Sequence, residues 1–153
     1  VKVTPLAVAN MMATIARGGE SKEVKLVSDI LYKNGTTLFT FPEHEREEEK
    51  LSSYTVMQLQ HLLREVVEGG TGTGWRMKGL SYEVAGKSGT AQTGKFTEEG
   101  RELLNRWFAG YFPIKSPKYA MVMVELDVLD ENNVSSVYVE MVEEIYNWEN
   151  QER

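Results

Sequence analysis

Residues Glu83–Lys95, EVAGKSGTAQTGK, admit two incompatible readings, and the rest of the chain hangs on the choice between them. Gly86-Lys87-Ser88 is how a phosphate-binding loop ends, and that loop's pattern, Gly-x-x-x-x-Gly-Lys-Ser/Thr, wraps phosphates in backbone amides ahead of a helix. Counting back, the opening glycine belongs at position 81, which is occupied by Ser81. On the other side, Gly89 to Gly94 mixes glycines with β-branched threonines and has poor helix propensity. The phosphate reading fails on both sides of the lysine, and a strand takes its place. Period-two alternation sends Lys87 and Gly89 to one side and Ser88 and Thr90 to the other, so adjacent polar groups serve different parts of a cleft. Gly89 removes a side chain where a ligand or another backbone approaches. An extended peptide can pair with such a strand through its backbone. The ammonium of Lys87 and the hydroxyls of Ser88 and Thr90 suit an anionic, carboxylate-bearing ligand.

Downstream the pattern stays β-like. Tyr82–Thr93, Asn105–Phe112 and Tyr119–Val128 read as three strands, joined by polar or proline-bearing connections short enough for an antiparallel meander. The third, YAMVMVELDV, is apolar at nearly every position, as expected of a strand covered on both faces. Trp107, Phe108, Tyr111 and Phe112 read as core rather than as a binding surface. A final helix, Val134 to Trp148, places Val137, Met141, Ile145 and Trp148 on one stripe, with Glu140, Glu143 and Glu144 toward solvent.

Upstream, Thr4-Pro5 is a helix start: a hydroxyl N-cap, then a ring whose missing N–H would have lacked a partner anyway. Leu6, Ala9, Met12, Ala13 and Ala16 recur at helical spacing until Gly18-Gly19. Asn34-Gly35, between two β-rich runs, marks a tight hairpin turn. PEHEREEEK reads as a solvated charged loop; its His44-Glu45 opens a zinc-protease-like pattern, but Glu48 stands where the second histidine belongs, so no metal is assigned. Val56, Leu59, Leu63 and Val66 mark a second amphipathic helix ending at Gly69-Gly70, with His61 off its apolar stripe. GGTGTGW is a glycine-rich connector or hinge.

The 153 residues, 41% hydrophobic, can fill one α+β domain: helices and a hairpin over 1–81, then a three-strand meander and a helix over 82–153. The net charge of -6 argues against a nucleic-acid partner, which needs clustered cations. Cysteine is absent, so disulfides and thiolate zinc sites are excluded. No run approaches the ~18 apolar residues of a membrane span. Beginning at Val1, almost inside a helix signal, the sequence reads as a segment of something longer, with any anchor upstream.

The motifs then carry a resemblance. GKSGTAQ resembles the Lys-Thr/Ser-Gly motif of the penicillin-binding proteins and serine β-lactamases, whose other motifs are Ser-x-x-Lys and Ser-x-Asn. TPLAVANMMATIARGG, LREVVEGGTGTG, RWFAGYFP and PKYAMVMVELD resemble the transpeptidases of that superfamily in the same order, and Ala91-Gln92 resembles the class B enzymes. The resemblance implies the C-terminal part of the β-lactamase/transpeptidase-like fold, an antiparallel sheet covered by helices.

It also implies a role for each matching residue. Lys87 would hold the electrostatics and proton network of the cleft. The backbone N–H of Thr90 would serve an oxyanion hole. Ser88 and Thr90 would contact the carboxylate of an acyl donor or β-lactam, beside Gly89, and Gln92 would line the cleft farther along. The implied partners are peptidoglycan stem peptides and β-lactams. No cofactor is implied, and the location is the outer face of a bacterial membrane, with the complete protein anchored there. Ser-x-x-Lys and Ser-x-Asn are absent, so the nucleophile is expected in a missing N-terminal half that also supplies a strand against YAMVMVELD. The chain alone is then expected not to acylate, and to be unstable, self-associated or held by that half. A β-lactamase or β-lactam-sensor domain and a non-catalytic scaffold of the same fold are the alternatives.

Overall fold

The computed structural model describes residues 2–42, 45–129 and 134–151. The element order is α1 (Pro5–Ala16), β1 (Glu20–Lys22), β2 (Asp29–Leu31), β3 (Thr37–Thr40), β4 (Glu45–Lys50), α2 (Ser53–Glu68), a single 3-10 turn (Trp75–Met77), β5 (Ala85–Phe96), β6 (Glu102–Phe112), β7 (Tyr119–Val128) and α3 (Val134–Gln151).

The first two helices begin where side chains can satisfy orphan amides. Thr4 Oγ1 accepts from the Ala7 N–H at 3.2 Å, and Ser52 Oγ from the Thr55 N–H at 3.1 Å. Two amides lash the elements together: Asn10 Nδ2 donates to the Lys22 carbonyl at 3.1 Å, and Gln60 Nε2 to the Ile15 carbonyl at 2.8 Å. The β2–β3 hairpin turns at Asn34-Gly35 as expected, with Gly35 at φ 84°, a conformation glycine adopts without Cβ strain.

The expected meander forms as one antiparallel sheet in the order β5–β6–β7. Ladder pairing carries β5 on to Phe96 and starts β6 at Glu102, past the ends of the runs read from sequence. The register sets Lys87 opposite Ala109, Ser88 opposite Phe108, Gly89 opposite Trp107 and Thr90 opposite Arg106. β6 in turn sets Arg106 opposite Glu125 and Phe108 opposite Met123 on β7. Strand β5 is one edge of this sheet and β7 the other.

Each face of the sheet carries its own core. On one side α3 brings Val134, Tyr138 and Val142 against Phe108, Phe112 and Val84. On the other, α1 and α2 bring Met12, Ile15 and Leu63 against Ala85, Ala109 and Tyr111. Removing each large side chain from water is worth roughly 1.5–3 kcal/mol. Strand β7 is covered on both faces as its composition required: Tyr119, Met121 and Met123 pack toward α3, Ala120 and Val122 toward α1.

Three expectations are corrected. The charged run is partly a strand, since Glu45–Lys50 forms β4 and pairs antiparallel with β1; Glu43 and His44 lie outside the described residues. Pairing with a distant strand overrides a composition that favours solvent. The buried stripe of α3 is also rotated by about one residue from the predicted one, roughly 100° around the axis. Tyr138 and Val142 are fully buried and Ile145 packs against them as expected, whereas Val137, Met141 and Trp148 are 46%, 41% and 58% exposed. Apolar residues occupy two neighbouring stripes of this helix, and the site for Tyr138 selects between them. That site exists because Gly110 carries no side chain: a Cβ there would lie 2.6 Å from the Ala85 carbonyl oxygen and 2.9 Å from Tyr138 Oη. Nor is Glu143 simply solvated, since its carboxylate accepts from the Ser81 N–H at 2.8 Å and the Ser81 hydroxyl at 2.7 Å.

No helix among the described residues is long and apolar enough to cross a membrane.

Candidate functional site

Position 86 onward is strand, so Gly86-Lys87-Ser88 is not a loop opening a helix. Alternation along β5 divides its polar groups between two openings. Lys87 lines a cleft of about 650 Å³ between α1 and α2, with Asn10, Met11, Thr14 and Leu59. Its Nζ donates to the Ser88 carbonyl. Ser88, Gly89 and Thr90 line a second, polar cavity of about 420 Å³, together with Thr73, Trp75, Arg106 and Ser135.

Ser88 is half-buried, and its Oγ lies 2.5 Å from Thr73 Oγ1, a bond either hydroxyl can donate. Thr90 is exposed, and its Oγ1 accepts from Arg106 Nη1 at 3.2 Å. A Cβ added at Gly89 would meet only Trp107 Cβ, at an ordinary 3.5 Å. The protein's own packing does not require glycine there, and the space beside it on the Lys87 face is open. Gln92 is not brought into this cavity: its Nε2 donates to Glu102 Oε2 at 2.9 Å, toward the β5–β6 turn.

Four cavity residues escape sequence reasoning. Thr73 and Trp75 belong to the stretch read as a connector. Backbone bonds from Gly72 N–H to Gly69 O at 3.1 Å and from Gly74 N–H to Val66 O at 2.9 Å fold that stretch beside β5. The signal was its alternation of threonine with glycine, which supplies hydroxyls on a backbone able to turn sharply. Trp75 is 63% exposed and holds the Arg76 guanidinium 5.4 Å from its ring. Arg106 needed the strand register. Ser135 needed the docking of α3, which brings its first turn to the same cavity. Trp107, expected in the core, is only partly buried and lines this cavity, while Phe108, Tyr111 and Phe112 are buried as expected.

The lead-in to β5 is fixed by a carboxylate. Glu149 on α3 accepts from the hydroxyls of Tyr82 and Tyr119 and from Lys118 Nζ, the last at 3.0 Å. Those bonds, Tyr119's first, hold the Glu149 carboxyl down to about 2. Reciprocally, the bond to Glu149 pushes the Tyr82 phenol up to about 12.

A strand-borne Lys-Ser-Gly on a sheet edge, packed between helices and opening on a polar cavity, defines a class: α+β domains with a candidate site at the edge of an antiparallel sheet. Comparison with known proteins gives the family. The model of the penicillin binding protein transpeptidase domain matches residues 1–147, and the chain belongs to that family. It is 29% identical over 144 residues to penicillin-binding protein H of Bacillus subtilis, covering 88% of this chain and 20% of that one. Likewise it is 29% identical over 147 residues to the peptidoglycan D,D-transpeptidase FtsI homolog of Mesostigma viride, covering 86% and 23%. Penicillin-binding protein 2B of Streptococcus pneumoniae strain R6 superposes with a TM-score of 0.78 at 22% identity, over 95% of this chain and 25% of that one, and so shares the fold. The chain thus spans only about a fifth of the length of the curated relatives it matches.

Proposed function

We propose that this chain is the C-terminal, strand-bearing half of a peptidoglycan D,D-transpeptidase domain that also binds penicillin, and that the acylated serine is carried by polypeptide outside these 153 residues. The observation that carries the reading is the pairing of Ser88 and Thr90 on one side of edge strand β5, lining a polar cavity, with Lys87 on the other side. The reaction is attack of a serine hydroxyl on the carbonyl of the penultimate D-alanine of a stem peptide. D-Alanine leaves, and the acyl group passes to the amine of a neighbouring stem. A β-lactam acylates the same serine as its ring opens.

In this scheme the Thr90 N–H donates to the developing oxyanion, a contact whose loss costs roughly a hundredfold or more in rate. Ser88 and Thr90 hydroxyls hold the donor's carboxylate in the polar cavity on their side of β5. Lys87 holds the proton network from the cleft on its own side, toward the incoming serine. Gln92 stays outside the first contacts. The complete protein works on the outer face of a bacterial membrane, anchored there, and its remaining domain half covers the apolar cleft and the free edge of β7.

The absence of Ser-x-x-Lys from the sequence favours a second reading, a non-catalytic scaffold of the same fold. A fluorescent penicillin separates the two. The expected outcome is covalent labelling of the full-length polypeptide and none of the 153-residue chain alone. Labelling of the chain alone overturns the placement of the nucleophile. No labelling of the full-length polypeptide favours the scaffold.

A further inference from the structure

Strand β5 has to be held still with little help from its neighbours in the chain or in the sheet. As an edge strand it is laddered on one side only, to β6, and its free edge is where the acyl donor is read to lie. The stretch that leads into it gives no support: residues 69–80 contain five glycines, one of them, Gly79, at φ 80°, so the backbone after α2 does not dictate where the strand begins. The strand is fixed instead from α3. One carboxylate oxygen of Glu143 accepts from the Ser81 N–H at 2.8 Å and the other from the Ser81 hydroxyl at 2.7 Å, a two-point grip that sets both the position and the rotation of that residue. Between Ser81 and Lys87 there is no slack to absorb a shift. The Glu83 carbonyl accepts from the Ile114 N–H at 3.1 Å, Val84 and Ala85 are buried, and a Cβ at Gly86 would lie 2.7 Å from the Ala109 carbonyl oxygen.

The same helix holds a wall of the polar cavity. Ser136 lies seven residues before Glu143, on the same helix face and about 10 Å away along the axis. Its Oγ accepts from Arg76 Nη1 at 3.2 Å, which pins the 3-10 turn whose Trp75 lines the cavity, and Ser135 lines it directly. One rigid helix therefore sets the wall and, through Ser81, the strand that faces it.

We propose that Glu143 is a positioning residue for acylation: by holding Ser81 it fixes the height of β5 against the cavity wall, and with it the point at which the Thr90 N–H meets the developing oxyanion. The proposal rests on the reading of β5 as the acyl-donor strand and adds what keeps that strand in place. Glu143 touches no reacting atom and acts only through Ser81. Its charge is not what the role requires, since a glutamine in its place can accept from the Ser81 N–H with its oxygen and donate to the Ser81 hydroxyl with its nitrogen.

The test is penicillin acylation of the full-length polypeptide, with the dissociation constant of the reversible complex separated from the rate constant of acylation and urea midpoints taken alongside. E143A should lower the rate constant roughly ten- to a hundredfold, the cost of misplacing a contact by about an ångström. E143Q should return it to near the wild-type value, and S81A, which keeps the backbone bond, should fall between. E143A/S81A should be no slower than E143A, because the pair acts as one unit. If E143A is too unstable to assay, E143D decides: one methylene shorter, it draws β5 toward α3 and should lower the rate constant where E143Q does not. A wild-type rate constant in folded E143A, or in E143D where E143A is unfolded, makes Glu143 a stability contact alone and overturns the proposal. A loss in E143Q equal to that in E143A, or additive losses in E143A/S81A, overturn it as well. A wild-type polypeptide that penicillin does not acylate overturns the reading of β5 itself, and the proposal with it.

Discussion

The two faces of the sheet are built to different standards. Under α3 the packing is closed: Phe108, Phe112, Tyr138 and Val142 have no exposure, and Tyr138 fills the space above Gly110. Under α1 and α2 the core is real but incomplete, because Met12, Ile15 and Leu63 are buried beside a cleft of about 650 Å³, and Met11 is 52% exposed. This asymmetry is how an edge strand can carry polar groups at fixed positions. One dense face sets the register and height of β5, and the other leaves an open cleft beside Lys87. Core truncations should register the asymmetry most strongly. F108A, on the closed face, should cost about 3–5 kcal/mol, and I15A, beside the open cleft, about 2 kcal/mol, since the cost of a deletion depends on how far the surroundings can relax. Urea-denaturation midpoints measure both. Equal losses would mean that the open cleft does not relax, and the contrast between the faces would fail.

Glycines draw the same contrast at smaller magnitude. At Gly110 an added Cβ lies 2.6 Å from a backbone oxygen on the neighbouring strand, so the ladder itself must shift. G110A should destabilise by about 1–3 kcal/mol, the usual cost of overpacking. At Gly89 the added Cβ meets one side-chain carbon at 3.5 Å. G89A should therefore leave the urea midpoint in place and lower penicillin acylation of the full-length polypeptide, because the methyl group enters the Lys87 side of β5, from which the serine is proposed to arrive. A protein in which G89A unfolds and G110A does not would invert the assignment of structural and ligand-facing glycines.

Local chemistry was legible in the sequence, and long-range geometry was not. Thr4-Pro5, Asn34-Gly35 and Gly69-Gly70 mark boundaries through bonds made within a few residues, so the sequence carries their outcome in full. The meander was legible because its connections are short. The pairing of Glu45–Lys50 with Glu20–Lys22 was not, since nothing in a charged run announces a partner on the far side of an intervening hairpin. For α3, two adjacent apolar stripes left the buried face undecided until Gly110 and Tyr138 met across the sheet. The candidate site divides the same way. Lys87, Ser88, Gly89 and Thr90 are consecutive in the chain and alternate by rule. Arg106, Thr73 and Ser135 join them only through register and docking, and each of these depends on contacts between distant segments.

A further probe of the closed face is the carboxylate that ties α3 to it, whose contribution is recognised by its pH dependence. Glu149 has about one-fifth of its side chain exposed, and it bridges Tyr82 ahead of β5, Tyr119 at the start of β7, and Lys118. Its folded value is about 2, against an ordinary 4.5, so the folded state binds its proton later than the unfolded chain does. Above about 4.5 the carboxylate is ionised in both states and its contribution is complete. As pH falls from 4.5 to 2, the unfolded chain takes up a proton that the folded state declines, and stability is lost over that window. The Tyr82 phenol acts at the other end of the scale: held at about 12 against an ordinary 10, it keeps its proton in the folded state while the unfolded chain releases one, so stability declines as pH rises between those values. E149Q removes the charge from the clamp and should lower the urea midpoint near neutrality while flattening both limbs of its plot against pH. If the acid limb of E149Q runs parallel to that of the wild type, the loss of stability in acid belongs to other carboxylates, and the closed face is held by packing alone.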